Sequence, residues 1–182
     1  QRQMCIRDRL RSRATAVIGN FPVSQASQYT RLEWLQTFSA GVDAYICPGV
    51  LPRGTMVTNA SGAYGQSVSE HMFATMWALM KNLNRYASNQ RDHQWQDEGP
   101  VLSPEGGIAL IIGVGDIGSH FAQLAQSVGM RTFGVRRYAD VPAKGIEKMY
   151  GFERLETLLP LADVVAMAVP RSPQTHHLLN AD

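Results

Sequence analysis

The apolar positions of this chain change their period twice, and the changes mark its elements. Ala14 to Asn20 (ATAVIGN) is a short apolar run that predicts a buried strand. Leu32 to Ser39 (LEWLQTFS) predicts a second, followed by the turn-prone Ala40-Gly41-Val42-Asp43, and Met56-Val57-Thr58 a third that runs into the loop chemistry of Asn59-Ala60-Ser61-Gly62. The period then lengthens. Val68, Met72, Met76, Leu79, Leu83 and Tyr86 recur at steps of four and three, with Phe73, Trp77 and Met80 as a second stripe, which predicts one long helix apolar on two sides. Ser67-Val68-Ser69-Glu70 predicts its start, Ser67 capping a backbone N–H and Glu70 reaching back in a capping box. A helix of this kind suits a position between two domains or at a subunit interface. Asp92 to Pro104 breaks the pattern as a polar loop with glycine and two prolines.

Ile108 to Ile112 (IALII) is then continuously apolar, as in a strand buried on both faces of a parallel sheet. Gly113-Val114-Gly115-Asp116-Ile117-Gly118 follows directly. Ile117, Phe121, Leu124 and Val128 keep helical spacing behind the glycines, Gly129 ends the helix, and Thr132 to Val135 predicts the next strand. Strand, glycine turn, helix and strand in that order make the GxGxxG pattern a dinucleotide fingerprint. Gly113 allows the tight turn, Gly115 lets the backbone approach a pyrophosphate, and Gly118 lets helix and strand pack closely. Asp116 and Ile117 open the helix whose unpaired N–H groups and dipole would favour the phosphates.

An NAD site commonly carries an acid at the end of the second strand, where it accepts from the ribose hydroxyls. Here Arg136-Arg137 stands there, and guanidinium groups pair with a 2′-phosphate where a carboxylate would repel it, so NADP is favoured over NAD. The alternative is that both arginines are solvated and Asp140 serves the ribose. A short strand at Ile146 to Tyr150, a helix through Phe152, Leu155, Leu158 and Leu159, and a strand at Val164 to Val169 continue the sheet. Pro170 ends it, and Val169, Pro170 and the loop to Thr175 are placed by position beside the adenosine half of the cofactor.

The sequence thus predicts an α/β chain: part of a smaller flavodoxin-like substrate domain over residues 1–66, then a truncated doubly wound parallel-sheet (Rossmann) cofactor domain over 67–182. Composition narrows the function. A hydrophobic fraction of 45% and charged fraction of 18% suit a globular protein, no apolar run is long enough to span a bilayer, and the N-terminus lacks the apolar core of a secretory signal. The net charge is +2, and the basic residues are scattered apart from Arg2, Arg7, Arg9, Arg11 and Arg13, which argues against a nucleic-acid surface. Cys5 and Cys47 have neither zinc-site spacing nor a disulfide framework, which fits a reducing cytoplasm. Residues 1–9 match no element; Met4-Cys5-Ile6-Arg7-Asp8-Arg9 looks like translated adapter sequence and is set aside as non-native.

Five strings in a fixed order resemble the D-isomer-specific 2-hydroxyacid dehydrogenases: Phe38 to Asp43, Thr58 to Gly62, Ser67-Val68-Ser69-Glu70-His71, the glycine motif, and Ala168-Val169-Pro170 with Thr175. The arginine pair makes the chain look like the glyoxylate/hydroxypyruvate reductase-like branch. The resemblance implies a two-domain enzyme with its active site in the cleft, moving a hydride between nicotinamide and the C2 carbon of a small 2-oxo or 2-hydroxy acid. It implies that Ala40 and Gly41 donate backbone N–H groups to the substrate carboxylate; a glycine-containing turn with exposed N–H groups suits that task as a small anion nest. It also implies a substrate-binding arginine, an acid and a general-acid histidine beyond residue 182, since His71, His93, His176 and His177 match no catalytic motif. On that reading the chain is a fragment, inactive and poorly soluble alone because the strand at Val164 to Val169 is left as a sheet edge. The full-length partner set would be a small acid and a second copy in a homodimer, with no nucleic acid and no membrane. A non-enzymatic regulator that senses dinucleotide on the same fold is the alternative.

Overall fold

Residues 9–180 are described in a computed structural model, in which the chain divides into two compact units, the first ending at Ala63 and the second beginning at Tyr64. The expected boundary lay near Gln66. The set-aside N-terminal residues 1–8 lie outside the described residues, as do Ala181 and Asp182.

The first unit is built on three parallel strands, β1 (Ala16–Ile18), β2 (Trp34–Gln36) and β3 (Met56–Thr58), in that spatial order. Ala16 pairs with Trp34 and Trp34 with Met56, so residues of one parity share a face. Leu35 points into a core of Phe21, Ala26, Tyr29, Leu32 and Tyr45, while Ile18, Trp34 and Met56 on the opposite face are exposed. Phe21 stacks on Tyr29 at 4.4 Å, and the Tyr45 hydroxyl closes the cluster by donating to the Phe21 carbonyl (2.5 Å) and accepting from its N–H (3.0 Å). The first two strands are shorter than the apolar runs predict: Leu32 and Phe38 flank β2 instead of lengthening it.

The second unit carries a four-stranded parallel sheet of β4 (Ile108–Ile112), β5 (Arg131–Val135), β6 (Lys148–Tyr150) and β7 (Val164–Met167), in the order β6-β5-β4-β7. The order reverses at β4, as in a doubly wound sheet. Alternation along β4 feeds two cores: Ala109 and Ile111 pack with Met76, Met80, Phe121, Ala122 and Ala125 on one face, and Leu110 and Ile112 with Phe133, Val135, Leu155 and Leu158 on the other. Burial on both faces is why IALII has no polar position.

Helix α1 (Gly65–Met80) and α3 (Asp116–Ser127) cover the first face, with α2 (Leu83–Arg91) between them in sequence. The other face is covered by a short succession of 3₁₀ and α turns from Phe152 to Leu161, α4 (Leu155–Leu158) at its centre, rather than by one continuous helix; Pro160 falls in its last turn.

Two expectations for the long helix are corrected. It begins at Gly65, not Ser67, with Tyr64 as N-cap and no side-chain cap, so there is no capping box; Glu70 instead accepts from Gln66 Nε2 at 2.9 Å. Nor does it run through to Tyr86. Asn82 takes a left-handed conformation (φ 53°) and splits the periodic stretch into α1 and α2. The side chains at the break bind the following loop: Lys81 Nζ donates to the Leu102 carbonyl at 2.7 Å, and Asn82 Nδ2 to those of Glu98 and Pro100 at 3.4 Å. Apolar spacing continues across the break, so periodicity alone does not reveal it.

Candidate functional site

The glycine turn sits between β4 and α3. Gly113 has φ +91°, a conformation that side chains strongly disfavour, and its N–H donates to the Val135 carbonyl at 2.9 Å. A Cβ there would lie 2.5 Å from the Ala168 carbonyl oxygen and 2.8 Å from Val169 Cγ1, so the loop after β7 closes directly over the turn. A Cβ on Gly118 would collide with the Gly113 carbonyl and meet Ile111 Cγ2 at 3.1 Å. Gly115 differs from both, because a Cβ there would meet nothing within 4 Å. Two of the glycines are demanded by the protein's own packing. The third borders open space at the start of α3, where the first N–H groups of the helix, those of Asp116 and Ile117 among them, have no intrahelical acceptor. Residues arranged this way fit a dinucleotide pyrophosphate: room at Gly115, orphan donors and the positive end of a helix dipole.

The loop after β7 is fastened from within. Thr175 Oγ1 donates to the Pro170 carbonyl at 2.6 Å and accepts from the Ser172 N–H at 2.8 Å, which folds Pro170 to Thr175 into a compact turn. Arg136 leaves the end of β5 half-buried. Its Nε donates to the Tyr138 carbonyl (2.8 Å), one terminal nitrogen to the Val114 carbonyl (3.5 Å) and the other to the Val141 carbonyl. Arg137 and Asp140 are exposed on the same loop.

In the first unit the Ala40-Gly41 turn is exposed and framed by side chains. Asn59 Nδ2 donates to the Ala40 carbonyl at 2.7 Å, Ser39 Oγ to the Gly41 carbonyl at 2.9 Å, and the buried Thr37 hydroxyl to the Ser39 carbonyl at 2.8 Å. Asn20 bridges Phe38 N–H (2.9 Å) and Ser39 Oγ (3.1 Å). These bonds occupy carbonyls, and on this exposed turn neither Ala40 nor Gly41 donates its N–H to any described residue. The nearest side-chain atom to a Cβ on Gly41 would be Asp43 Oδ2, at 4.0 Å.

The histidines do not form a catalytic constellation. His71, His93, His176 and His177 are exposed, and the last two only face each other edge to face at 4.0 Å. His120 stands at the helical i,i+4 spacing from Asp116, the one sequence signal for this pair. Its Nδ1 lies 2.8 Å from the Asp116 carbonyl and 3.4 Å from Oδ1, which ties the side chain to the first turn of α3. The framing roles of Asn20, Thr37 and Asn59 have no such signal, because the residues they hold are distant in sequence. No group of three or more metal-ligating side chains occurs among the described residues, and no helix among them is long and apolar enough to cross a membrane.

A parallel sheet that reverses at β4, with a glycine turn into a helix at that point, defines an α/β dinucleotide-binding protein. Residues 73–182 match the family model for the NAD-binding domain of D-isomer specific 2-hydroxyacid dehydrogenases, and the chain belongs to that family. It is 28% identical over 155 residues to a D-lactate dehydrogenase of Treponema pallidum, covering 83% of this chain and 45% of that protein. It is 26% identical over 184 residues to a glycerate dehydrogenase of Methylorubrum extorquens, covering 96% and 56%. A solved structure of a family protein from Aeromonas salmonicida superposes with a TM-score of 0.84 at 29% identity, over 96% of this chain and 56% of that one. The chain therefore spans about half the length of the curated relatives it matches.

Proposed function

We propose that this chain supplies the dinucleotide site and a substrate-carboxylate nest of an oxidoreductase acting on a small 2-oxo or 2-hydroxy acid of the glyoxylate or hydroxypyruvate kind. The observation that carries this is the contrast among the three motif glycines, two enforced by packing and the third facing open space beside orphan helix donors. Gly113, Gly115, Gly118 and the Asp116 and Ile117 N–H groups would hold the pyrophosphate, with Val169, Pro170 and Thr175 shaping the adenosine side. Arg136-Arg137 favours NADP over NAD. The bound nicotinamide supplies or accepts the hydride. This chain's own part is to hold the cofactor and, through the N–H groups of Ala40 and Gly41, to bind the acid's carboxylate. The described histidines are given no part in moving the carbonyl's proton, since none of them pairs with an acid outside the first turn of α3.

The domain boundary is assigned to the stretch Ala63 to Gln66, and the whole protein is read as a cytoplasmic homodimer. Supporting a dimer, Val68 and Leu79 on α1 and Leu83 at the start of α2 keep apolar side chains exposed. Sedimentation of the longer protein as a monomer at micromolar concentration would remove that assignment. The central test is a calorimetric titration of the chain with NADPH and NADH, followed by glyoxylate and hydroxypyruvate reduction assays on the longer protein. Saturable binding, tighter for NADPH, and turnover of either acid are expected; binding without turnover of any 2-oxo acid would favour a dinucleotide-sensing regulator.

A further inference from the structure

We infer that the two adjacent arginines after β5 do different jobs: Arg136 is a strut that fixes the following loop to the glycine turn, and Arg137 alone reads a 2′-phosphate. The inference rests on the NADP reading above. All three guanidinium nitrogens of Arg136 already donate, to the carbonyls of Val114, Tyr138 and Val141. Its single Nε proton is one of those used, so the side-on fork with which an arginine grips a phosphate is spent on the protein's own backbone. Its targets are telling. Val114 lies inside the glycine turn and is buried, whereas Tyr138 and Val141 belong to the exposed loop, so one side chain spans the two structures that would flank the adenosine ribose.

Arg137 presents the opposite picture. It is exposed, and its guanidinium has no hydrogen bond or ion pair to any described residue. It follows the carboxyl end of β5, where ligands of such sheets collect. Asp140, three residues on, likewise forms no ion pair among the described residues, so no carboxylate neutralises Arg137 there. The adjacent arginines therefore differ in what remains available: a loop held in place by one guanidinium and a free one carried on it. Arg136 is a positioning residue, and Arg137 is the specificity determinant.

The experiment separates the two with binding probes and needs no turnover. The chain is titrated with 2′,5′-ADP and 5′-AMP, and the ratio of their affinities measures recognition of the 2′-phosphate. Arg137→Gln should lower the ratio about 10- to 100-fold, the worth of a charge-assisted hydrogen bond or two, with 5′-AMP affinity unchanged. Arg137→Lys should keep part of the preference, since a point charge still attracts phosphate. Arg136→Gln and Arg136→Lys should resemble each other, because an ammonium group cannot span three carbonyls. Both should weaken the two probes together, leave the ratio within about twofold and speed hydrogen exchange of the amides from 137 to 141, as expected when a held loop is released. A ratio that collapses in Arg136→Gln but survives Arg137→Gln overturns the assignment, as does an Arg136→Lys variant with wild-type binding and exchange. A wild-type chain with no preference for 2′,5′-ADP overturns the NADP reading itself. The exchange measurement would then still decide, separately, whether Arg136 holds the loop.

Discussion

The two turns proposed to receive anions are made in opposite ways. The Gly113 to Gly118 turn is made by exclusion: backbone and side chains crowd so closely around Gly113 and Gly118 that no side chain fits, and the space left at Gly115 is what remains. The Ala40-Gly41 turn is made by attachment: Asn59, Ser39 and Thr37 bind its carbonyls and that of its neighbour, while its own N–H groups donate to no described residue. The first depends on packing that cannot be altered locally without loss of the fold. The second depends on a few net-weak hydrogen bonds near the surface, so it can be weakened in steps.

Substitution should separate the two. Gly118→Val should destabilise the second unit by about 3 kcal/mol or more, because the added carbons meet backbone that cannot move; thermal denaturation reads this directly. A stable Gly118→Val chain would mean that the turn is not made by exclusion. Gly115→Ala sharpens the same contrast. Its stability should stay within about 0.5 kcal/mol of wild type, since Gly115 has a negative φ of −102° and open surroundings, while NADPH affinity should fall about tenfold or more by calorimetry. In the other turn, Asn59→Ala should cost about 1 kcal/mol and loosen oxamate binding without changing NADPH affinity. A fall in NADPH affinity there would show that the turns are not independent.

The smallest effect is expected away from both turns, at the exposed Arg131–Glu147 pair (2.7 Å). Its hydrogen bond to Arg131 holds the Glu147 carboxyl below the ordinary carboxylate range, and Arg131 is raised in return. A lowered folded-state pKa means the pair's contribution is present above the ordinary carboxylate value and is lost as pH falls through the lowered one. Glu147→Gln should therefore change stability slightly at neutral pH and not at all in strong acid, and a thermal melt series in pH measures it. Because the pair is exposed, added salt should erase the difference.

The same contrast decides what was legible in the sequence. β4 occupies the predicted Ile108 to Ile112, and β5 needed only Arg131 added to the predicted run, because burial on both faces excludes polar residues and leaves a continuous signal. The glycine motif was legible because steric demand restricts the residue type. The start of α1 was not: Ser67 and Glu70 satisfy a capping rule, yet the helix starts two residues earlier, where Gly65 packs without a side chain against Asp116. The break at Asn82 was hidden because its cause lies in carbonyls at 98, 100 and 102, which no local pattern encodes. The Ala40-Gly41 turn could be named only through resemblance, since the hydrogen bonds that shape it reach from Asn20 and Asn59.

On the proposed NADP reading, the hold that Arg136 keeps on three carbonyls would also constrain a change of cofactor. The usual acid for a ribose would have to enter at the end of β5, where Arg136 now stands, and an Arg136→Asp replacement would leave three carbonyl oxygens without the donor that gathers them. The single step that introduces the new recognition group thus also dismantles the loop that must carry it. A viable route to NAD preference has to begin elsewhere, with substitutions in residues 138–141 that make the loop self-supporting before the arginine is lost. The order of mutations, rather than their number, is what the clamp dictates.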